Sequence, residues 1–458
     1  RDRYTACKIN NNLTITLGEF STGSDHALTV AGATSIGDGG AGGANRATLE
    51  CNASAISLGS GYTTTWGLQI EKGGTFVGGT GAHTFGSFKL GAAHADVTCT
   101  LTTGVTTIDS EKTGDNYSLY LQASTFDNAD GTVTITYDGE ARFRIDGAPL
   151  HNVIINDASC IMRLENDGVI DNNLTITTGE FRSSYGGTSY DLTVTKTLKM
   201  EGGTMTCDAS TVLLGQGFLS GLTYGLHLTG GTFNGGTGTH TISVLYQTGG
   251  TCNLTSDTTE MNGYNTSGGY SMKKEGGTFV QTAGTVNMTH TSVQVIQLTS
   301  DPTFYNLTFT AATTTSIYNW DTTRTLTVSG VLTIEAGATY NTQYTNLAAN
   351  NLIVTGDVIV NGTLEAYESS DDTVSDVVTL EFGSLKIDSG GEYSASSGTT
   401  TITSRATAGY QLLSAASEIT HHDGLFLFEG AAGGSSYINM SGTSGCATGL
   451  YKVEINAS

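Results

Sequence analysis

The chain repeats itself over most of its length, and this repetition restricts the possible folds more than any other feature. Four pairs of matching segments occur in the same order, each pair about 155 residues apart. They are LTITLGEF (13–20) with LTITTGEF (174–181), CNAS (51–54) with CDAS (207–210), GGTFVGGTGAHTF (73–85) with GGTFNGGTGTHTI (230–242), and CTLT (99–102) with CNLT (252–255). The shared order indicates that a long block has been duplicated, rather than one ligand-binding loop.

A diverged third copy follows, because three similar segments recur along the chain. They are LHNVIINDAS (150–159), FYNLTFTAA (304–312) and LYKVEINAS (450–458). If each of these segments closes one block, the chain consists of three tandem blocks. We therefore predict blocks at residues 1–159, 160–312 and 313–458, the last of them diverged.

Within the blocks, short strand-like segments alternate with glycine corners. Gly-Gly-Thr followed by a large apolar residue begins at Gly73, Gly202, Gly230 and Gly276, and segments such as LTVT at 192–195 lie between these corners. The chain has 62 glycines, 2 prolines and only 13% charged residues, a composition without the Ala, Glu, Lys and Leu runs of helices. Strands and corners that repeat every 20 to 30 residues or so are typical of stacked coils. We predict an all-β fold, an elongated parallel β-solenoid (β-helix), whose coils pair about 4.8 Å apart.

The charge of the chain argues against one class of partner. The chain has 42 acidic and 19 basic residues, for a net charge of −23. Binding to nucleic acid requires a basic track that neutralises phosphates, and the basic residues here are scattered. No apolar stretch approaches the ~20 residues that cross a bilayer. We expect no nucleic-acid partner and no membrane insertion, and we expect Arg1 to be a processed end or the edge of a longer sequence.

Seven cysteines occur without a Cys-x-x-Cys pair, so the spacing of zinc ligands is absent. Strand alternation places Cys99 on the same face as Val97 and Leu101. By the same alternation we predict Cys51, Cys99, Cys207 and Cys252 to be small core residues that point inward with free thiols. In one column, two coils would separate Cys51 from Cys99 by about 9.6 Å, beyond the ~7 Å limit for a disulfide.

Two histidines, His83 and His240, occupy equivalent places in the repeated segments. A ligand or metal contact used twice is one interpretation. We favour a corner residue whose imidazole caps a turn, because no second His or carboxylate lies beside either one at a ligand spacing. We interpret His421 and His422 as part of a surface loop, because adjacent strand residues point to opposite sides.

The densest acidic cluster consists of Glu368, Asp371, Asp372 and Asp376. Solenoid enzymes that cleave polysaccharides need carboxylates a few Å apart, here on neighbouring strands, whereas these residues lie in one polar run. We interpret the run as an inserted, solvated loop. Residues 127–131 (DNADG) lack the alternating oxygen ligands of a calcium-binding loop. We therefore predict no catalytic, metal-binding or cofactor-binding residues, and no cofactor.

The segments FYNLTFT…RTLTVSGVLTI (from Phe304), NNLTIT.GEF and GGTFNGGTGTHTI resemble a repeat of large surface and fibre proteins of bacteria and their viruses. Virion proteins of marine bacteriophages are the notable examples. The resemblance spans all three blocks. It implies an elongated right-handed parallel β-helix that serves as a fibre, adhesin or surface layer, hence an extracellular, cell-surface or virion-surface location. It supplies no shared catalytic residues.

Repetition without a unique site favours a non-enzymatic structural protein that forms a fibre or filament. One alternative is an adhesin or phage receptor-binding fibre that binds cell-surface glycans through exposed aromatic residues, with Trp66, Tyr318 and Trp320 as candidates. A second alternative is a polysaccharide-degrading β-helix enzyme, which would need a cleft of carboxylates on adjacent strands.

The end of the sequence continues into its beginning almost as one block continues into the next. Read across the two ends, the sequence is INAS–RDRYTACKINNN–LTIT, and across residues 159 and 160 it is INDAS–CIMRLENDGVIDNN–LTIT. We therefore expect copies of the chain to stack head to tail into a homopolymer, because heterologous contacts of this kind form open filaments.

Overall fold

The computed structural model describes residues 6–23, 26–38, 46–91, 96–122, 125–215, 224–291, 294–310, 314–318, 323–342, 350–366, 378–404, 409–415, 418–430, 437–440 and 450–457. The chain divides into two compact units. Unit 1 comprises Arg1–Gln216 and His227–Gly238, and unit 2 comprises Gly217–Leu226 and Thr239–Ser458.

Unit 1 consists of short strands, of which only two exceed seven residues. The strands are β1 (Ala6–Ile9), β2 (Leu13–Ile15), β3 (Gly18–Ser21), β4 (Ala27–Val30), β5 (Thr34–Ile36), β6 (Ala47–Glu50), β7 (Ile56–Leu58), β8 (Leu68–Ile70), β9 (Gly74–Val77), β10 (His83–Phe85), β11 (Phe88–Leu90), β12 (Thr98–Thr100), β13 (Val105–Ile108), β14 (Tyr117–Gln122), β15 (Thr125–Asp127), β16 (Thr132–Ile135), β17 (Glu140–Asp146), β18 (Leu150–Leu164), β19 (Gly168–Arg182), β20 (Ser184–Tyr185), β21 (Thr188–Ser189), β22 (Leu192–Val194), β23 (Thr197–Met200), β24 (Thr204–Thr206) and β25 (Val212–Leu214), followed by β26 (Leu226–Leu228), which has residues of both units, and β27 (Thr232–Asn234).

Unit 2 is built in the same way. Its strands are β28 (His240–Ile242), β29 (Leu245–Gln247), β30 (Thr251–Asn253), β31 (Thr258–Met261), β32 (Met272–Lys274), β33 (Thr278–Val280), β34 (Thr285–Met288), β35 (Gln294–Leu298), β36 (Thr303–Phe304), β37 (Asn306–Phe309), β38 (Thr314–Tyr318), β39 (Thr325–Val328), β40 (Leu332–Ile334), β41 (Thr339–Asn341), β42 (Asn351–Val360), β43 (Thr363–Glu365), β44 (Leu380–Ile387), β45 (Glu392–Ser394), β46 (Thr399–Ile402), β47 (Leu412–Ser414), β48 (Glu418–Thr420), β49 (Leu425–Gly430), β50 (Ile438–Met440) and β51 (Lys452–Ala457).

In unit 1, the strands pair in parallel with strands of neighbouring coils, apart from β20 and β21, which form a short antiparallel pair. The three columns are β1–β4–β7–β10–β13–β16–β18, β2–β5–β8–β11–β14–β17 and β3–β6–β9–β12–β15. Strand β19 then pairs along its length with β18 and, in three successive parts, with β22, β23 and β24. One coil of three strands is therefore stacked on the next, and we call each coil a winding.

Unit 2 repeats this pattern. Its columns include β28–β31–β34–β37–β40, β29–β32–β35–β38–β41–β43–β45–β48 and β39–β42–β44–β46–β49–β51, all parallel. The described residues contain no helix. The predicted fold class, an all-β parallel β-solenoid, is confirmed. The division into three blocks stays a prediction: β18 runs without a break across residues 159 and 160, and residues 311–313 lie outside the described part.

The core is formed by the side chains that point inward at every second position of each strand. In β4, Leu28 and Val30 are completely or almost completely buried, and the alternate residues Ala27 and Thr29 are half-buried. Parallel pairing in register then stacks inward residues of successive windings on one another, as Val30 stacks on Leu58 and Leu58 on Phe85. Each winding thus buries its apolar side chains against those of its neighbours, which is why the period-two pattern of the sequence predicted the inward residues.

The repeated glycine segment is a corner that lies on the corner of the preceding winding. Asn52 and Gly79 both have positive φ, 51° and 69°. The Thr80 N–H donates a hydrogen bond to the Asn52 carbonyl oxygen at 2.7 Å. A Cβ atom on Gly79 would overlap that same carbonyl, and one on Gly81 would overlap the carbonyl of Ser54. The two backbones approach so closely that only glycine fits.

The second copy has the same corner. Asp208 and Gly236 have φ values of 49° and 67°, and the Thr237 N–H donates to the Asp208 carbonyl oxygen at 2.6 Å. A Cβ on Gly236 or Gly238 would overlap the preceding corner, at Asp208 and Ser210 respectively. The CNAS and GGTG motifs therefore recur together because they are the two halves of one stacked corner.

We predict that Gly79→Ala destabilises the fold far more than Gly61→Ala does. Both glycines have nearly the same positive φ, 69° and 68°, but a Cβ on Gly61 would have no neighbour within 4 Å. Each substitution incurs the left-handed backbone cost of about 1 kcal/mol, and Gly79→Ala adds the clash with Asn52, for about 2 kcal/mol or more in addition. Urea unfolding followed by circular dichroism measures the difference, and equal midpoints for the two variants would contradict the corner geometry.

Candidate functional site

The first winding of unit 1 has a free edge. Its strands β1, β2 and β3 pair with β4, β5 and β6, and within the described ranges no strand lies on their other side. We call this edge the N-end surface. Leu17 beside it is 66% exposed. A cavity of about 450 Å³ opens there, lined by Ala6, Cys7, Phe20, Ser21, Thr22 and His26.

The last strands of unit 2 also have a free edge. β50 and β51 pair with β47 and β49, and no described strand covers their other side. We call this edge the C-end surface. Among the residues that the structure describes, ten large apolar residues are exposed, and six of them lie in these strands or beside them, namely Tyr437, Ile438, Met440, Tyr451, Val453 and Ile455. Exposed apolar surface is therefore concentrated at this edge and not scattered.

The repeat provides an internal comparison for the C-end surface. Val453 and Ile455 match Val153 and Ile155 of the segment that closes the first block. Both pairs have inward neighbours in the preceding winding: Val453 lies on Phe426 as Val153 lies on Val133. Yet Val153 and Ile155 are 0% exposed, whereas Val453 is 43% and Ile455 58% exposed. Strand β18 is covered by a further winding, in which β19 pairs with it, whereas no described strand covers β51.

A cluster of aromatic rings and a lysine lies on the outer face of unit 1, which we call cluster 1 (Trp66, Lys89, Tyr117 and Tyr120). The Tyr117 and Tyr120 rings are 4.9 Å apart and edge-to-face, and each lies 6.2 Å from Trp66. The Lys89 Nζ lies 5.9 Å from the Trp66 ring centroid. Trp66 and Tyr117 are only 5% and 9% exposed, so the cluster is a satellite core outside the windings.

Unit 2 has the equivalent cluster 2 (Tyr224, Tyr246, Tyr270 and Lys273). The Tyr246 ring lies 4.9 Å from Tyr224 and 6.1 Å from Tyr270, and the Lys273 Nζ lies 5.4 Å from the Tyr246 centroid. A hydrogen bond of 2.8 Å joins the Tyr246 hydroxyl to Glu275.

In both clusters a lysine and a tyrosine lie in register on neighbouring strands, with the two residue types exchanged: Lys89 is paired with Tyr120, and at the matching positions Tyr246 is paired with Lys273. The lysine lies over Trp66 in cluster 1 and over Tyr246 in cluster 2. A cation over a ring is attracted to the ring's electron-rich face by about 0.5–1 kcal/mol. Because each cluster contains such a contact, we assign the clusters to packing of outer loops onto the sheet. The Thr113 N–H, which donates to the Thr63 carbonyl at 2.8 Å, joins two such loops in unit 1.

The hypothesis that Trp66 is an exposed glycan-binding aromatic is wrong. Its ring is buried by Tyr117, Tyr120 and Lys89 in cluster 1, so no open ring face is available for a sugar. Of the other two candidates, Tyr318 ends strand β38 but its side chain lies outside the described part, as does all of Trp320.

His83 and His240 lie in strands and not in a corner, contrary to our interpretation, and the capping of a turn by their imidazoles stays a prediction. They begin strands β10 and β28 with inward side chains that are 1% and 0% exposed. The His83 ring lies 5.8 Å from Phe76 and 5.7 Å from Phe85. Burial lowers the pKa of His83 to about 4, against a smaller opposing effect of the Gly78 backbone, so the imidazole is neutral at pH 7.

Cys51, Cys99, Cys207 and Cys252 are all 0% exposed and free of disulfides. Cys99 lies in register with Phe76 of the preceding winding and Phe126 of the following one, and Cys252 lies in register with Phe279. Phe76 in turn pairs with Leu49, so Cys51 lies two residues further along its winding than the position in register with Cys99. Burial raises the pKa of Cys252 to about 12, and burial together with the Glu50 charge raises the pKa of Cys51 to about 12.

The remaining candidate groups are the histidines at residues 421 and 422 and the acidic cluster. His422 and Asp423 form a turn with positive φ, in which His421 stacks on Tyr451 at 5.2 Å. The cluster of Glu368, Asp371, Asp372 and Asp376 lies outside the described residues. No three His, Cys, Asp or Glu side chains among the described residues are placed to hold a metal ion. Nor does any helix there have the length and apolar character needed to span a membrane.

Neither cluster was predicted from the sequence, because the repeated segments are recognised by identical residues and the cluster positions differ between the copies. The signal is present in the matched positions, where a lysine and a tyrosine exchange places. The exposure of Val453 and Ile455 was not predictable either, since their sequence is that of an ordinary buried strand. Comparison with protein-family models, with curated proteins and with solved structures gives no match.

We predict that His83→Leu reduces the loss of stability in acid. Between pH 6.5 and about 4 the unfolded chain binds a proton that native His83 does not, so stability falls as the pH is lowered through this window. The contribution amounts to at most about 3 kcal/mol and is absent from the variant. Thermal melts at a series of pH values test this, with the exposed His26→Leu as the matched control. Parallel pH profiles for wild type and His83→Leu would contradict a buried neutral histidine.

We also predict a large difference in thiol reactivity. Alkylation requires the thiolate, and burial both raises the pKa of Cys51 and Cys252 and blocks the reagent. Iodoacetamide should modify exposed Cys7 at least about 100-fold faster than these two in the native protein, and all three at similar rates in denaturant. Peptide mass spectrometry resolves each site. Rapid native labelling of Cys252 would show that the core packing is wrong.

Proposed function

We propose that this chain is a non-enzymatic structural protein that forms a fibre or filament by head-to-tail stacking of its copies. The observation that carries the proposal is the parallel stacking of one winding on the next in both units, as in β18 on β19 and β49 on β51, because a winding of another copy can continue the same stacking. In the proposed filament, the N-end surface of one copy covers the C-end surface of another.

The physical basis is the same as that of the fold. A free parallel edge presents N–H and C=O groups that another edge can pair with. Covering Val453 and Ile455 removes apolar surface from water, for about 1 kcal/mol or more each, and further apolar residues of the C-end surface add to this. These contributions must exceed the cost of association, so the proposal requires both ends to take part together.

The resemblance to surface and fibre proteins of bacteria and bacteriophages supports a location outside the cell, on a cell or virion surface. The net charge of −23 fits such a role, because like charges along the sides of a filament oppose lateral association. Contact between copies is then favoured only at the ends.

The proposal predicts that Val453→Asp prevents assembly of the purified chain. A carboxylate at this position would be buried without a partner in the interface, which costs several kcal/mol. Val105→Asp is the matched control, because Val105 is also 43% exposed but lies in β13, away from both end surfaces. Sedimentation velocity over a range of concentrations, with negative-stain electron microscopy, measures assembly.

We expect concentration-dependent filaments for wild type and for Val105→Asp, and monomers for Val453→Asp with an unchanged circular dichroism spectrum. A wild-type chain that stays monomeric at every concentration would rule out self-assembly. Equal loss of assembly in both variants would show that the C-end surface is not the contact.

A further inference from the structure

The three tyrosines of cluster 2 come from three successive windings, and all three belong to unit 2. Tyr246 lies in β29, whereas Tyr224 and Tyr270 each lie two residues before a strand, β26 and β32 respectively. The Tyr246 ring is 4.9 Å from the Tyr224 ring, with 40° between the ring planes, and 6.1 Å from the Tyr270 ring. The rings of Tyr224 and Tyr246 are therefore in van der Waals contact across two windings.

The surrounding structure holds these rings in place. The Gly225 N–H donates a hydrogen bond to the Val244 carbonyl oxygen at 2.9 Å, which ties Tyr224 to the winding that follows. Tyr270 packs with the buried side chains of Val244 and Val295, and Tyr224 packs against this group. A hydrogen bond also joins the side chains of Tyr224 and Tyr270. The ring contact is thus a fixed feature of the fold.

The Tyr246 hydroxyl has a proton acceptor beside it. It donates a hydrogen bond of 2.8 Å to Glu275, which also forms an ion pair of 2.7 Å with Lys273. The Lys273 Nζ lies 5.4 Å from the centroid of the Tyr246 ring, and this positive charge opposes removal of an electron from the ring. If the hydroxyl proton passes to Glu275 at the same time, the ring is left as a neutral radical and the opposition is removed.

The first copy of the repeat lacks this pair of phenols. Trp66 and Lys89 occupy the positions of Tyr224 and Tyr246, and the tyrosines of cluster 1 both lie in strand β14. Of the two clusters, only cluster 2 brings together phenols from different windings. Packing of the outer loops, which the two copies share, therefore does not require the tyrosine pair.

We propose that Tyr224 and Tyr246 form a site of oxidative cross-linking, at which a one-electron oxidant joins the two rings as dityrosine. Each phenol gives one electron to one equivalent of oxidant and loses its hydroxyl proton, from Tyr246 to Glu275 and from Tyr224 to water. The two radicals form a carbon–carbon bond between ring positions next to the hydroxyls. Each of these carbons then releases its proton and each oxygen regains one, so the net loss is two electrons and two protons.

The bond joins two windings of one chain covalently. It closes a loop from residue 224 to residue 246, which removes conformational freedom from the unfolded chain and so stabilises the folded one. Because the rings already touch, the bond forms without rearrangement of the windings. The reaction takes place within one copy, so it goes beyond the proposed function and does not depend on assembly.

Photo-oxidation of the full chain with tris(bipyridine)ruthenium(II) and persulfate tests the site, because this mixture generates a small one-electron oxidant. Chymotrypsin cleaves between the two tyrosines, after Phe233. Mass spectrometry then identifies a linked pair of peptides that has lost two hydrogen atoms. Tyr224→Phe keeps the ring and removes the hydroxyl. Tyr305→Phe is the matched control, because Tyr305 also belongs to unit 2, is 39% exposed and lies outside cluster 2.

We expect the link between residues 224 and 246 in native wild type and in Tyr305→Phe, with at least about tenfold lower yield in urea, where the rings are not held together. Oxidation should raise the melting temperature of these two proteins and not that of Tyr224→Phe, whose circular dichroism spectrum before oxidation should match that of wild type.

Three results would overturn the site. The first is no link in native wild type under conditions that link free tyrosine. The second is an equal yield in the native and the unfolded chain. The third is a link of Tyr246 to Tyr270, or to a tyrosine of a second chain, in place of the link to Tyr224. None of these results bears on filament formation, which sedimentation of the unoxidised chain measures separately.

Discussion

The structure depends on the close approach of one winding to the next at the glycine corners. At Gly79 and Gly236 the backbone lies against a carbonyl of the preceding corner with no room for a Cβ atom. This approach brings the strands on either side of the corner within hydrogen-bonding distance of the winding below. The regular stacking of inward side chains is the consequence, because in-register parallel pairing leaves each side chain above its equivalent.

Much of the fold was predictable because these constraints are local in sequence. A corner that tolerates only glycine must recur as glycine, and a strand buried on one face must alternate, so the segment of Leu192–Val194 was identified before its pairing was known. The inward orientation of Cys99 followed from alternation alone. The repeat also fixed which segments are equivalent, since the CNAS and GGTG motifs are retained as a pair.

The candidate site was less predictable, because it depends on relations between windings. Alternation places Lys89 on the outer face but does not reveal that Trp66 and Tyr117 cover one another there. His83 adjoins a corner in sequence, yet register with Ile56 and Thr106 places it in the core column. Exposure of Val453 depends on the absence of a covering strand among the described residues, which no pattern within residues 450–458 encodes.

In the proposed filament, the same physics extends to contacts between copies. Strand β51 has Val453 and Ile455 at the inward positions, and these are residue types that interior windings use for stacking. The hydrogen bonds and apolar contacts that stack one winding on another can form equally with a winding of the same chain or of a second chain. The net charge of −23 does distinguish directions, because it opposes association along the sides while the ends gain pairing and apolar burial. In the proposed filament, this difference between sides and ends favours growth in length over disordered aggregation.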